Sequence, residues 1–517
     1  MAENSVVKTG IAGLDAIFTD GGIARTNVIL VQGAVGTGKT LLGMEFICRG
    51  ILEQNEPGII VVFETSPDKL IRDAAQFGWN IEELQRQNKL KIVFTTPQVL
   101  EAELRSPDSL LLETAAEIGA QRIFIDSIGL LRPAWNTGNG ALQVGPGSYR
   151  EVLQQLIEAL NRENLTAMLS HEIGQMLEAP ATLEMAGFLA DTLIELATDR
   201  TLRLGHRSIE VVKSRGQQYV AGKHTLRITP RKGIEVFRRV QAPIFRNLEQ
   251  PTSHAKRSVI GVPALDDLIG GGLFDGSTTM VIGISGAGKT VLGTQLLLEG
   301  ALKQGQRGLL ISLDEHPAQI VRNAETLGLG LQAQIDAGMI HLLFESPQEL
   351  EIDYHFDSIV KTVEKYNIQR LVIDGVSSYS NALDNQRAYR DFFHAVVAFS
   401  KFRLMTTFFN YENPELFGLS SYMPDFPVSS IVDNIVVLSL VELGNTLHRC
   451  IAVVKSRGSK HEFDTREFSI GPGGISLLPL DEAYQLPARP IESYSSVMSR
   501  APTRISSKLR RPAMAGD

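Results

Sequence analysis

The sequence predicts an α/β protein with two tandem domains, each built on a mainly parallel β-sheet that helices cover on both faces. Two observations support this fold class. Short apolar runs alternate with helical patterns, which is typical of parallel sheets buried on both faces. A series of motifs also occurs twice in the same order, and a chain of 517 residues is too long for one core. We therefore expect domains at residues 1–245 and 246–482, followed by a flexible basic regulatory tail at residues 483–517.

The strand-like runs of the first half lie near residues 27–32, 58–63, 91–95, 122–126 and 166–170. Helical patterns such as Lys39–Gln54 and Tyr149–Asn161 lie between them. From Thr192 in the first half and from Ile431 in the second, the helices stop and short strands follow one another. This change predicts an antiparallel extension of each sheet.

The most specific motif is a glycine-rich loop that occurs twice, 250 residues apart. It reads GAVGTGKT over Gly33–Thr40 and GISGAGKT over Gly283–Thr290. Glycine lets successive backbone N–H groups surround phosphates without a Cβ in the way, and the lysine reaches the β- and γ-phosphates. The loops therefore predict two sites for ATP, bound by Gly33, Gly36, Thr37, Gly38, Lys39, Thr40, Gly283, Gly286, Ala287, Gly288, Lys289 and Thr290.

Two aspartates end apolar runs and are predicted to hold the metal ion that accompanies ATP. Asp126 ends RIFID and Asp374 ends RLVID. Both would lie at the carboxyl edge of the sheet, beside the loop, where ligands of such sheets bind. Together with the hydroxyls of Thr40 and Thr290 they form the predicted Mg²⁺ sites. The alternative is that they are ordinary turn residues.

Acidic residues also follow the first strand-like run after each glycine-rich loop. Glu64 stands there in the first domain, and Asp314 and Glu315 stand there in the second. A carboxylate at this edge can accept a proton from an attacking water or hydroxyl, so these three are the candidate catalytic bases. A helix N-cap is the alternative, because a proline suited to a first helical turn follows closely.

A K-S-R-G motif occurs late in each half, at Lys213 and Arg215 and again at Lys455 and Arg457. Alternate residues of a strand project to the same side, so each Lys-x-Arg pair would act together. On a neighbouring subunit such a pair could stabilise the charge that develops at the γ-phosphate, as an arginine finger does. A solvated strand face is the alternative interpretation.

Composition argues against several classes of protein. The formal net charge of −8 argues against a dedicated nucleic-acid binder. Cys48 and Cys450 are too few for a disulfide framework, which favours a reducing compartment. No run approaches the ~18 apolar residues that a membrane span needs, and no apolar signal region begins the sequence. We therefore expect a cytoplasmic protein with no membrane partner.

The tandem loops, the strand-end carboxylates before proline, the aspartate-terminated strands and the K-x-R-G motifs together resemble the KaiC family of RecA-like clock ATPases and autokinases. The resemblance covers about residues 5–510 and includes the tail motif APTRIS, Ala501–Ser506. It implies a hexameric double ring with ATP between subunits, slow ATPase activity in the N-terminal ring and Ser/Thr autophosphorylation in the C-terminal ring. It also implies regulatory partners, KaiB-like or other, at the rings and the tail.

The resemblance further implies two phosphoacceptors. The family's phosphorylated Ser-Thr pair precedes an I-T-D-T stretch, and the matching text here is VSSIVDN. Ser429 and Ser430 align with the two acceptors, while Val432 and Asn434 replace family threonines. The alternative is a serine pair in a turn. The first domain departs from the family as well, because it has one acidic residue, Glu64, where the family usually has two.

Two other functions are compatible with the same motifs. A DNA-dependent RecA-like ATPase would share the fold, the loops and the ring, but the first domain opens by about residue 9 and the only extended basic cluster is the tail. A scaffold whose ring is merely cemented by ATP would need neither Glu64 nor Glu315. DNA-stimulated ATP hydrolysis would favour the first alternative, and a lack of phosphate release would favour the second.

Overall fold

The computed structural model describes residues 5–105, 109–131, 146–173, 186–199, 205–241, 256–383, 386–413, 431–443, 446–462 and 464–479. These residues form two compact units. The first falls within Met1–Gln241 and Glu349–Lys361, and the second within Ala242–Gln348 and Thr362–Asp517. The domain boundaries at residues 245 and 482 stay a prediction from the sequence.

The described residues of the first unit contain eleven strands. They are β1 (Val6–Val7), β2 (Ile23–Ala24), β3 (Val28–Gly33), β4 (Gly58–Val62), β5 (Leu90–Phe94), β6 (Arg122–Asp126), β7 (Thr166–Glu172), β8 (Thr192–Asp199), β9 (His206–Ser214), β10 (His224–Thr229) and β11 (Gly233–Phe237). Its helices include α1 (Lys39–Gln54), α2 (Pro67–Ala75), α3 (Ile81–Arg86), α4 (Pro97–Arg105), α5 (Leu110–Ile118) and α6 (Pro146–Arg162). Nine of the strands form one sheet in the order β11-β10-β9-β8-β3-β7-β6-β4-β5.

The second unit repeats this architecture. Its strands include β12 (Arg257–Ser258), β13 (Leu273–Phe274), β14 (Thr278–Gly283), β15 (Gly308–Ser312), β16 (Ile340–Phe344), β17 (Arg370–Asp374), β18 (Thr406–Glu412), β19 (Asn434–Leu443), β20 (Thr446–Ser456), β21 (Arg466–Gly471) and β22 (Gly474–Leu477). Its helices include α7 (Pro263–Leu268), α8 (Lys289–Lys303), α9 (Pro317–Thr326), α10 (Leu331–Asp336), α12 (Val376–Ala382) and α13 (Gln386–Phe402). A further helix, α11 (Ile352–Tyr366), spans the point where the two units divide. The nine-stranded sheet runs β16-β15-β17-β18-β14-β19-β20-β21-β22.

The strand that leads into each glycine-rich loop lies inside the parallel part of its sheet. In the first unit β3 pairs in parallel with β7 and β8, and in the second β14 pairs in parallel with β18 and β19. The side chains of β3 alternate between two apolar layers, with Ile29 and Val31 in one and Val28 and Leu30 in the other. Burial on both faces therefore explains why this strand is apolar throughout.

The structure confirms the predicted α/β class with two mainly parallel sheets and flanking helices. It differs from the sequence-based prediction at the extension of each sheet, because β8 and β19 run parallel to the loop strand. Within each nine-stranded sheet, the antiparallel pairing begins with the three strands that follow β8 or β19. The second extension also begins at Asn434 and not at Ile431. Among the described residues, no helix has the length and apolar character that a membrane span requires.

Candidate functional site

The first glycine-rich loop connects β3 to α1. Gly36 and Gly38 have positive φ angles of 79° and 106°, which an L side chain rarely adopts, so glycine is needed at both positions. The Lys39 ammonium donates to the backbone carbonyls of Gly33 and Ala34, at 2.8 Å each. Burial lowers the pKa of Lys39, and the charges of nearby carboxylates act in the opposite direction. The lysine is thus held at the mouth of the loop, where phosphates would bind.

The predicted metal ligands of the first domain lie in contact. The Thr40 hydroxyl donates to Asp126 Oδ2 at 2.7 Å, and the Ser170 hydroxyl donates to the other carboxylate oxygen. Glu64 follows β4 and lines the same cavity of about 570 Å³ as Lys39, Thr40 and Asp126. The structure therefore brings a cation, a hydroxyl and two carboxylates together at the carboxyl edge of the sheet.

The second loop has the same construction. The Lys289 ammonium donates to the carbonyls of Gly283 at 2.9 Å and Ile284 at 2.8 Å. The Thr290 hydroxyl donates to Asp374 Oδ2 at 2.7 Å, and the Asn410 amide donates to Asp374 Oδ1 at 2.9 Å. Burial raises the pKa of the Asp374 carboxyl, while these two hydrogen bonds act in the opposite direction.

Both candidate bases of the second domain line its cavity, which has a volume of about 400 Å³. Burial raises the pKa of Glu315, and the negative charges of Asp374 and Asp314 raise it further. Lys289 opposes this shift. The N-cap alternative does not apply to the candidate bases of either domain. Ser66, and not Glu64, occupies the N-cap position of the helix that follows in the first domain, and His316 occupies it in the second.

The oxygen ligands at each site fit Mg²⁺. Hydroxyl and carboxylate oxygens are the donors that this hard cation prefers in proteins, usually with only one or two carboxylates. Each Thr-Asp pair already has its oxygens in hydrogen-bond contact. Thr37 and Ala287, which were also predicted to bind ATP, are buried at 2% and 1% exposure.

The Lys-x-Arg pairs lie at the opposite edge of each sheet from the loop of the same domain. Lys213 pairs with Leu193 near the start of β8, whereas the loop follows the end of β3. Its ammonium donates to the carbonyl of Ala190 at 2.6 Å, and both it and Arg215 donate to the carbonyl of Phe188. Each member of this pair therefore projects to the same side, as predicted, but far along the strands from its own phosphate loop.

The second pair has a similar environment. The Lys455 ammonium donates to the carbonyl of Val432 at 2.7 Å. The guanidinium of Arg457 lies 3.9 Å from Asp433 Oδ1, and Lys401 lies 3.0 Å from the same oxygen. The predicted phosphoacceptors Ser429 and Ser430 lie outside the described residues, as does the tail.

Sequence reasoning missed four residues of the two sites. Ser170 and Asn410 each donate to the metal-site aspartate, and Glu172 and Glu412 line the cavities. They occupy matching places in TAMLSHE, the sequence of β7, and TTFFNYE, the sequence of β18. The signal was available, because the two strands keep the order and spacing of the repeat.

Comparison with known proteins agrees with this geometry. A family model described as the KaiC ATPase matches residues 7–241 and again residues 259–482. Circadian clock oscillator proteins KaiC from Picosynechococcus sp. and Nostoc sp. are each 29% identical to the chain, covering 96% and 97% of it and 92% of their own lengths. The KaiC of Thermostichus vulcanus is 29% identical over 98% of the chain and 93% of its own length.

Proposed function

The chain belongs to the KaiC family of ATPases, and from that premise we propose that it is a hexameric ATPase whose second domain also phosphorylates its own serines. One observation carries the proposal. Each of the two domains brings a loop lysine, a hydroxyl–aspartate pair and a further carboxylate to one edge of its sheet, so the chain contains this arrangement twice. The relatives are clock proteins by name, so a signalling role of the circadian type is part of the proposal.

The residues of each site divide the work of phosphoryl transfer. Lys39 and Lys289 bind the β- and γ-phosphates together with the loop amides. The Thr-Asp pairs hold Mg²⁺, which supplies charge neutralisation on the phosphates when bound. Glu64 accepts the proton of an attacking water in the first domain. In the second domain, Asp314 or Glu315 accepts the proton of a water or a serine hydroxyl.

The Lys-x-Arg pairs complete the sites of a neighbouring subunit in this proposal. Two facts support it: Lys213 and Arg215 project together, and they lie at the sheet edge opposite their own loop. From that edge they could reach a phosphate held by another copy of the chain but not the one held by their own.

Phosphate release from the full chain with Mg²⁺ and ATP, with and without single-stranded DNA, tests the function. A rate that rises steeply with DNA would instead favour a DNA-dependent motor.

Assembly should depend on ATP, because the Lys-x-Arg pairs need phosphates on the adjacent subunit. We expect Mg²⁺ and ATP to convert the protein to hexamers in light-scattering-coupled size exclusion. Lys39→Ala should weaken the ring more than the matched variant Lys289→Ala if the first domain is the main assembly ring. A monomer that ignores nucleotide would contradict the proposal.

The second domain should phosphorylate Ser429, Ser430 or both on a neighbouring subunit. We expect peptide mapping after incubation with ATP to find phosphate on this pair and none in the Ser429→Ala/Ser430→Ala variant. Each phosphate adds roughly −1.5 to −2 charges a few residues before Asp433 in the sequence, which should loosen the C-terminal ring and alter how the tail packs. Equal phosphate uptake by the two proteins, or none by either, would leave the ATPase and remove the kinase.

A further inference from the structure

A carboxylate with no part in the proposed division of work lies beside the loop lysine of the second domain. Glu412 is the last residue of β18, and its Oε2 atom lies 4.0 Å from the Lys289 ammonium. The lysine side chain is 9% exposed and the glutamate side chain 45%. Both line the cavity of the second site. A buried cation therefore meets a partly exposed carboxylate at the place where phosphates would bind.

The sheet fixes the position of Glu412 relative to the loop. Glu412 stands opposite Gly283, the first glycine of the loop, in the parallel register of β14 and β18. The amide of Asn413, the next residue, donates to the Gly283 carbonyl at 3.1 Å. Lys289 donates to the same carbonyl. The lysine and the glutamate therefore meet because both are held at Gly283, and their proximity follows from the pairing of the strands.

The donors of the lysine show what this proximity means for a phosphate. An ammonium group has three N–H donors, and the carbonyls of Gly283 and Ile284 accept from two of them. The third is the donor that a phosphate would use, and the Glu412 carboxylate is near enough to attract it. Burial lowers the pKa of Lys289, and the negative charge of Glu412 is the strongest of the charges that raise it. Phosphate and carboxylate thus depend on the same positive charge.

The first domain repeats the placement. Glu172 ends β7 opposite Gly33, and the amide of Ile173 donates to the Gly33 carbonyl at 3.1 Å. Burial lowers the pKa of Lys39, and the charge of Glu172 is the stronger of the two charges that raise it. Glu172 is exposed, however, whereas Glu412 is partly buried. Because water screens an exposed charge more strongly, we expect the larger effect at the second site.

We propose that Glu412 competes with nucleotide phosphate for the Lys289 ammonium and thereby speeds the release of ADP from the second site. This inference rests on the proposed function, because it concerns how the product of the same phosphoryl transfer leaves. After transfer, ADP still presents its β-phosphate to the lysine. The carboxylate weakens that contact in two ways, since it attracts the ammonium and repels the phosphate.

The release of a fluorescent ADP, mant-ADP, from the full chain tests the proposal. Excess unlabelled ADP starts the release, and the signal of the second site is the part that Lys289→Ala removes. Glu412→Gln keeps the size of the side chain but removes its charge. It should slow release from the second site about two- to fivefold, the range expected for a partly screened ion pair. Equilibrium binding of mant-ADP at that site should become tighter by the same factor.

Two further variants separate the charge of Glu412 from other effects. Glu412→Asp keeps a carboxylate and should release mant-ADP at a rate closer to that of the wild type. Glu364→Gln removes the same charge from an exposed position on α11 that does not line the cavity, and it should leave the rate unchanged. The difference between wild type and Glu412→Gln should also shrink at high salt, because ions screen the carboxylate.

The expected result is a gain in affinity, which damage to the fold would not produce. Release from Glu412→Gln that is as fast as from the wild type, or faster, would overturn the inference and leave the proposed ATPase intact. Equal slowing by Glu364→Gln would overturn it as well. A full chain that binds mant-ADP at neither site would instead overturn the proposed function, and the inference with it.

Discussion

Replacing Glu64 by Gln should lower phosphate release from the first domain by ~10²–10⁴-fold, the usual cost of removing one general base. Glu64 is the one acidic residue directly after β4, where the second domain has two. It lines the cavity with Lys39 and the Thr40–Asp126 pair. The amide of glutamine preserves the size of the side chain but cannot accept the proton of an attacking water.

The measurement uses the full chain with Lys289→Ala, so that the second loop no longer binds the phosphates. ATP binding by the Glu64→Gln protein should equal that of its parent, which separates chemistry from binding. Glu64→Asp serves as the matched control, since it keeps a carboxylate and should retain part of the rate. Equal rates with and without the glutamine substitution would show that Glu64 is not the base.

Removing Glu56 should destabilise the first unit by ~3–5 kcal/mol, the cost of leaving a buried charge without its partner. Arg122 is fully buried, and its Nε donates to Glu56 Oε2 at 2.7 Å. Arg25 donates to the other oxygen at 2.8 Å. In Glu56→Ala the Arg122 guanidinium keeps its backbone acceptors but loses its counter-charge. Glu56→Gln should cost less, because the second unit holds its buried Arg370 with Gln306.

Denaturant unfolding followed by tryptophan fluorescence checks this prediction, because both tryptophans of the chain, Trp79 and Trp135, belong to the first half. Glu53→Ala is the matched control: its ion pair with Arg49 is exposed, so its loss should cost less than about 1 kcal/mol. A Glu56→Ala transition that coincides with that of Glu53→Ala would contradict the prediction.

The same ion pair predicts a pH dependence. Burial alone would raise the pKa of Glu56, but the hydrogen bonds and charges of Arg25 and Arg122 outweigh it and lower the pKa below its ordinary value of 4.5. A depressed folded-state pKa stabilises the folded protein above the unfolded value, and this stabilisation is lost as the pH falls through the folded value. The difference between wild type and Glu56→Ala should therefore shrink below about pH 4.5.

Local signals in the sequence predicted the loops and the helices that follow them well. Helix α1 begins at Lys39 and ends at Gln54, as expected, because Gly38 and Asn55 both take left-handed conformations at its ends. Strand direction was harder to predict. The direction of β8 depends on the connection that precedes it, and an alternating apolar pattern reads the same in either direction.

Site residues could be predicted where a residue type in a fixed motif is typical of one chemical role. Lysine, threonine and aspartate in fixed motifs were found, whereas Ser170 and Asn410 carry no such signature until β7 and β18 are placed beside the loop strands. The contact between Ser378 and Asp314 joins residues 64 positions apart. No spacing rule connects them, because they meet only through the order of the strands in the sheet.

The placement of loop and Lys-x-Arg pair at opposite edges of one sheet has a genetic consequence for rings of the proposed kind. A subunit that lacks Glu64 damages its own site, whereas one that lacks Arg215 damages the site of its neighbour. Each defect alone would silence every first-domain site in a uniform ring. In a ring that contains both mutants, an intact site forms wherever a subunit that lacks Arg215 supplies the loop and a subunit that lacks Glu64 supplies the Lys-x-Arg pair. Two inactive alleles should therefore complement each other when they are expressed together.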